Sequence, residues 1–207
     1  MASTAEDNAH LIYRLKEKLK AKGFGQISNF FGTDARWCCP CCFRSKSEIA
    51  RLDKNDNLCC SLVYHHDHFE DYAKEQVVRP RFDQNWHAHC ALEDSFARFP
   101  HTLICQDCNT ADTEAKKICG ANKHFSFAPH EITAFIEVEE NVAHHINRVR
   151  ALEVYEAAKP TMSIQAKRLR SVLGVSRPDE DNWKSIGGLG WGILKEVNIK
   201  RKQGGQR

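Results

Sequence analysis

The sequence predicts an α+β fold, with small strands and cysteine-rich turns forming a core between two helical stretches. Three observations predict it. Leu11, Ile12, Leu15 and Leu19 recur at helical spacing near the N-terminus; two Cys-x-x-Cys pairs bracket the strand-like run Leu58–Tyr64; and helical spacing returns after Pro129. At 207 residues, 42% hydrophobic and 28% charged, the chain suits one compact domain with extensions or at most two small ones. That balance excludes a disordered polymer.

The first helix is expected over Glu6–Lys22, with Gly23 as its stop. Gly25–Trp37 reads as turns, and Cys38-Cys39-Pro40-Cys41-Cys42 is too dense in thiols for a regular element. Asp53–Asn57 is a polar turn before one strand over Leu58–Tyr64, which runs into His65-His66-Asp67-His68. Residues 69–101 read as an inserted loop or helix carrying Trp86, His87, His89 and Cys90. Thr110–Ile118 has helical composition. One long helix is expected from Pro129 or His130 to Ala158, with Pro129 in its first turn and Pro160 ending it. Its buried side would use Ile132, Phe135, Ile136, Val142, Ile146, Val149 and Val154. A short helix over Ser163–Leu173, the glycine-rich loop 187–192 and a basic tail complete the chain. The expected division is an N-terminal helical segment over 1–37, a core over 38–125 and a helical, basic region over 126–207.

Met1–Asp7 has no basic segment or apolar core of a secretory signal, and no apolar stretch approaches the ~20 residues that span a bilayer. No membrane partner and a cytoplasmic location are the expectation. From Lys159 onward there are 11 Lys/Arg against 4 Asp/Glu, about +7, which leaves about −4 elsewhere from the total of +3. Such asymmetry fits an extension that binds a polyanion.

Ten cysteines in a reducing compartment point to metal rather than disulfides. Cys39/Cys42 and Cys105/Cys108 are two knuckles, each able to bring two thiolates to one face of a Zn²⁺ ion. Cys38/Cys41 has the same spacing as the first pair; Cys39/Cys42 is preferred because Pro40 then follows the first ligand. Cys59, Cys60, Cys90 and Cys119 are expected in the core. Between the pairs, three imidazoles and a carboxylate in His65–His68 are costly to bury without partners. Asn109 follows the last knuckle cysteine, and its amide oxygen is a fair ligand for a hard divalent ion. Asp112, at i+3, is either a further ligand or a first-turn carboxylate favoured by the helix dipole.

The order of these parts resembles the HNH, or ββα-metal, endonuclease superfamily. The nearest pattern is the recombination endonuclease VII type, Asp-His-Asp-His followed later by Cys-Asn; here it reads His65-His66-Asp67-His68 and Cys108-Asn109. The likeness covers about Trp37–Lys117, with His65 in place of the first Asp and a longer stretch between His68 and Cys105. The resemblance implies a zinc-stabilised ββα-metal core, treble-clef-like, with an N-terminal helix and a mostly helical C-terminal extension. It implies a metal-dependent DNA endonuclease that serves restriction, phage defence, recombination or homing. His66 would be the general base, His65 and Asn109 would hold a catalytic Mg²⁺ or Mn²⁺, and His68 would contact phosphate or orient the substrate. Structural Zn²⁺ would sit on Cys39, Cys42, Cys105 and Cys108. Lys116, Lys117 and the basic tail are candidates for DNA-backbone contacts. His87 and His89, with Trp86, are candidates for a second phosphate or metal group. Paired cuts across a duplex would favour a homodimer. The competing readings are a zinc-stabilised DNA-binding module without catalysis and a thiol-based redox or metal sensor.

Overall fold

A computed structural model describes residues 4–77 and 96–173. The expected positions Trp86, His87, His89 and Cys90, the glycine-rich loop and the basic tail beyond 173 lie outside the described residues.

The fold is α+β, built from very short strands. By the density of backbone contacts the chain divides into two compact units. Among the described residues the first unit draws on 4–65, 101–115 and 129–151, and the second on 66–77, 96–100, 116–128 and 152–173.

In the first unit, helix α1 (Thr4–Leu19) buries Leu11, Ile12 and Leu15, the face its apolar spacing predicts. The helix stops at Leu19, short of the expected end at Lys22. Lys20 takes the left-handed conformation at φ 54°, and Gly23 instead opens strand β1 (Gly23–Phe24). Helix α2 (Lys46–Ile49) begins with a capping box between Ser45 and Glu48. The Lys46 side chain is fully buried and donates to Asn8 Oδ1 (2.7 Å) and the carbonyls of Phe30 (2.6 Å) and Thr33 (3.1 Å). Burial lowers its pKa to about 8, and these acceptors tie α1 to the turns before the knuckle.

The expected strand over Leu58–Tyr64 is two strands. β3 (Asn57–Cys59) pairs with β1 in parallel and with β2 (Arg51–Leu52) antiparallel. β4 (Leu62–His65) pairs antiparallel with β5 (Thr102–Cys105), from Leu62↔Cys105 to His65↔Thr102. The break at Cys60–Ser61 lets the two strands serve different partners: the Cys60 N–H donates to Gln26 and the Ser61 carbonyl accepts from Gln106. β5 passes without a linker into helix α4 (Gln106–Cys119), where Cys108, Ala111, Asp112 and Ala115 form a buried i, i+3, i+4, i+7 stripe.

The stretch after Pro129 departs most from expectation. Helix α5 (Pro129–Thr133) ends after five residues, and an antiparallel pair follows, β6 (Ile136–Glu137) with β7 (His145–Ile146). Ile132, Phe135 and Ile146 are buried as foreseen, but Val142 and Val149 are 44% and 66% exposed because they belong to the hairpin loop and the next helix's outer side. Asn141 sits in that loop at φ 61°, and its side-chain amide donates to the carbonyls of Ser47 (2.8 Å) and Ala50 (2.6 Å).

Helix α6 (Arg148–Leu173) contains Pro160 instead of ending before it. Pro160 lies on its exposed side, while Tyr155, Ala158, Gln165 and Leu169 are buried on either side of the break. Tertiary packing therefore outweighs the lost backbone bond. In the second unit, Tyr155 meets Phe125 edge-on at 5.1 Å and Phe127 at 6.3 Å, and Ala73, Phe96 and Leu169 form a separate buried cluster. Helix α3 (His68–Val77) occupies the start of the expected insertion.

Candidate metal centre

The first unit brings the two knuckles together. Cys39, Cys42, Cys105 and Cys108 are all buried, and their sulfurs lie within 4.8 Å of one another. Two sulfur pairs, Cys39–Cys108 and Cys42–Cys105, are each 3.7 Å apart. A tetrahedron with metal–sulfur bonds of ~2.3 Å has edges of ~3.8 Å, so four cysteines are positioned to hold one metal ion. Cys38, by contrast, is exposed, and its main chain bridges to Ser45. Exposure sets Cys38 aside, and the sulfur positions, not burial, select Cys42 over the equally buried Cys41.

Local backbone geometry explains the first knuckle. Phe43 N–H donates to the Cys39 carbonyl and Cys39 N–H to the Arg44 carbonyl, closing the turn around Pro40–Phe43. Phe43 takes φ 59° to do so and leaves its ring 70% exposed. In the second knuckle, Cys105 ends β5 and Cys108 lies in the first turn of α4, so the strand–helix junction sets their spacing. The Cys105 N–H also donates to Cys39 Sγ at 3.3 Å. Hydrogen bonds with Cys105 and then Cys108 hold the Cys39 thiol far below its ordinary pKa, and those with Cys105 and Cys108 bring Cys42 down to about 5. In return, bonding with Cys105 and Cys39 raises Cys108, and Cys105 is raised, against the lowering effect of Cys108, by bonds with Cys39 and Cys42 together with burial. Thiolates are the form that binds a metal.

Around the sulfurs lies a polar shell that the sequence did not reveal. Arg44, 3% exposed, donates to Cys42 Sγ (3.4 Å), Cys105 Sγ (3.8 Å), Asp107 Oδ2 (2.8 Å) and the carbonyls of Glu139 (3.0 Å) and Val142 (2.9 Å). Burial works against its charge, but the bonds to Cys42 and Asp107 outweigh it and hold the guanidinium pKa above its ordinary value. Asp107 also accepts from Arg51 Nε at 2.9 Å. His144 Nε2 approaches Cys108 Sγ at 3.2 Å and Arg44 at 3.1 Å, while its buried Nδ1 has no hydrogen-bond partner among the described residues. Four thiolates around a divalent ion leave a net charge near −2, and Arg44 offsets part of it. These partners are separated by up to 100 residues, so no local pattern could have announced them.

The other expected site residues fall as follows. His65 closes β4 and is 2% exposed; Asn109 lies in the first turn of α4, half-buried; both belong to the first unit. Asp112 is 2% exposed on the helix's inward stripe. Lys116 and Lys117 are in the last turn of α4, the first half-buried and the second exposed. In the second unit, His66 Nε2 lies 2.8 Å from Asp71 Oδ2, and the rings of His66 and His68 are 5.1 Å apart. His68 Nδ1 is 3.3 Å from the Lys123 carbonyl. Asp67, 1% exposed, accepts from the backbone of Phe69 and Arg98 and from Gln165 Nε2, so it is the cap of α3 and a buried hub. Of the extra thiols, Cys41 and Cys60 are buried, and Cys59 and Cys119 half-buried.

Among the described residues, the cysteine cluster is the single group of three or more His, Cys, Asp or Glu side chains gathered closely enough for a metal ion. No helix searched among them is long and apolar enough to cross a membrane. No family model, curated protein or solved structure matches this chain. What fold and site define is an α+β protein built around a buried four-cysteine centre able to hold a metal.

Proposed function

We propose that the four-cysteine centre holds structural Zn²⁺ and that the chain is a metal-dependent DNA endonuclease of the HNH type. The observation that carries the reading is the junction itself. An antiparallel strand pair, β4–β5, runs directly into α4, with the thiolate cluster at the turn, His65 closing the first strand and Asn109 beside the last cysteine. The donor chemistry fits: one imidazole and one amide oxygen suit a hard divalent ion that keeps its remaining positions for water and phosphate.

His65 and Asn109 are the residues that would hold Mg²⁺ or Mn²⁺. The cation's contribution is to neutralise charge developing on the scissile phosphate and the leaving oxygen. His66, the next residue in the chain, takes a proton from water. The water oxygen forms the new bond to phosphorus, the P–O3′ bond breaks, and the departing oxygen takes a proton from solvent. His68 orients the phosphate. Lys116 and Lys117 contact the DNA backbone without reading sequence.

Supercoiled plasmid incubated with the zinc-loaded protein and Mg²⁺ or Mn²⁺ tests the reading. The expected result is nicked and linear product, abolished by EDTA and lowered ~10²–10⁴-fold in His66→Ala at unchanged zinc content. A fully active His66→Ala protein, or plasmid left intact by the wild type while it still binds DNA, would overturn the nuclease; the latter result is that of a DNA-binding module.

A further inference from the structure

We infer that α1 and β1 carry a platform for single-stranded nucleic acid: Tyr13, held edge-on by Phe24, stacks an unpaired base, and the cations around it meet the phosphates. The inference goes beyond the nuclease reading and does not rest on it. The groups it uses lie between Tyr13 and Phe24, and none belongs to the metal centre or the histidine run.

The chain builds the platform at the turn between helix and strand. With Leu11, Ile12 and Leu15 buried, Tyr13 and Lys16 share another side of α1, one turn apart at i and i+3. Lys20 then turns the chain at φ 54°; the Ala21 N–H donates to the Lys16 carbonyl (2.9 Å) and the Lys22 N–H to the Asp56 carbonyl (2.8 Å). These bonds, with Phe24 in register beside Leu58 of β3, fix β1 against the helix. Phe24 therefore meets Tyr13 at 5.7 Å with the two ring planes at 83°, and Lys16 Nζ lies 5.3 Å from the Phe24 centroid.

Core packing does not account for the pair. Tyr13 is 61% exposed and Phe24 40%; a single exposed ring is ordinary, but here two are held together in water. A tyrosine restrained in this way loses little rotamer freedom when a base stacks on it. The charge around the rings is almost all of one sign. Arg14, Lys16, Lys18, Lys20 and Lys22 stand against Glu17 alone, and of the five cations only Lys22 is ion-paired among the described residues, to Asp56 at 2.7 Å. A polyanion complements that field, and the rings select a strand whose bases are not already stacked in a duplex. An anionic membrane is the poorer partner, because the apolar side of α1 that would enter it is buried in the fold.

The test uses the full zinc-loaded chain without Mg²⁺ or Mn²⁺, so that no cleavage enters the readout. Fluorescence anisotropy follows binding of labelled oligo(dT), oligo(U) and a duplex of equal length. Tyr13→Ala should weaken the single strands about 5- to 150-fold, the worth of one stacked base, and leave the duplex unchanged. Tyr13→Phe, which keeps the ring, should bind as wild type does. Lys16→Gln/Lys20→Gln, which spares both rings, should lower the salt slope for single strands by about 1.4, ~0.7 for each cation. Tighter binding of oligo(dT) names DNA as the source of the strand and tighter binding of oligo(U) names RNA; either supports the platform. A wild type that binds neither strand, a Tyr13→Ala protein that binds them unaltered, or an equal loss on the duplex overturns it. So does a Tyr13→Ala protein that loses self-association or binding to anionic vesicles while it keeps the oligonucleotides. Plasmid left intact in the cleavage assay rejects the nuclease and leaves this result standing, whereas unaltered oligonucleotide binding in Tyr13→Ala rejects the platform alone.

Discussion

Replacing Arg44 with methionine keeps much of the side chain's volume and removes its charge and all of its donors. The loss is large because Arg44 is 3% exposed and Asp107, Cys42 and Cys105 beside it are buried as well. Asp107, 5% exposed, loses a 2.8 Å contact and keeps Arg51, which is 33% exposed. The carbonyls of Glu139 and Val142 and the sulfurs of Cys42 and Cys105 lose donors at the same time. Breaking one side of a buried ion pair costs about 3–5 kcal/mol. Arg51 offsets part of that penalty and the orphaned carbonyls add to it, so we expect about 3–5 kcal/mol for Arg44→Met, a large share of the 5–15 kcal/mol typical of a domain. The same substitution should weaken zinc ~10–100-fold, the range for lost outer-shell partners. Urea unfolding of the zinc-loaded protein measures the first quantity, and competition with a chromophoric chelator the second. A change below ~1 kcal/mol with unchanged zinc affinity would refute the reasoning, because it would leave the guanidinium idle beside the thiolates.

Further outcomes follow from the same geometry. Asn141→Ala should cost about 3 kcal/mol in urea unfolding, from two lost hydrogen bonds of ~1 kcal/mol each and ~1 kcal/mol of left-handed strain, whereas Asn141→Gly should avoid the strain. Cys42, whose pKa falls from 9.0 to about 5 in the folded chain, contributes stability that is complete above pH 9 and gone below about 5. Metal binding displaces the cysteine protons, so metal retention, followed by atomic absorption after gel filtration, should hold at neutral pH and be lost on acidification; full retention in strong acid would contradict it. Burial pushes the Cys60 thiol up to about 12, so iodoacetamide at pH 8 should label exposed Cys38 and spare Cys60, as read by peptide mass mapping. Lys116→Gln/Lys117→Gln should flatten the salt dependence of DNA affinity by about 1 to 2 in slope, and an unchanged slope would remove both lysines from the interface.

The cysteine centre was legible because each Cys-x-x-Cys pair is a local signal, and most of α4 was legible because Thr110–Ile118 carries helical composition; its start at Gln106, inside the knuckle, was not. Cys38 and Cys39 could not be separated by spacing, since one position's shift decides which thiol turns inward. The segment after Pro129 misled for a physical reason: Ile132, Phe135, Ile136 and Ile146 satisfy helical spacing, and the hairpin depends on a left-handed Asn141 whose amide is claimed by the carbonyls of Ser47 and Ala50, over 90 residues away. Pro160 misled in the opposite sense, because packing around Tyr155 and Leu169 keeps one helix through it. Asp67 stood in a run that invites a ligand reading, and a single residue's letter does not distinguish a ligand from a helix cap. The shell of Arg44, Asp107 and His144 is assembled from three distant segments, so only the folded chain displays it.

Zinc K-edge absorption of the purified chain, with metal content measured on the same sample, bears most directly on the four-thiolate centre. One zinc per chain with four sulfur scatterers at ~2.3 Å and no nitrogen or oxygen in the shell is the expected spectrum. A shell that contains a nitrogen, as if His144 had displaced Cys108, or a chain that takes up no zinc while its four cysteines remain reduced, would contradict it.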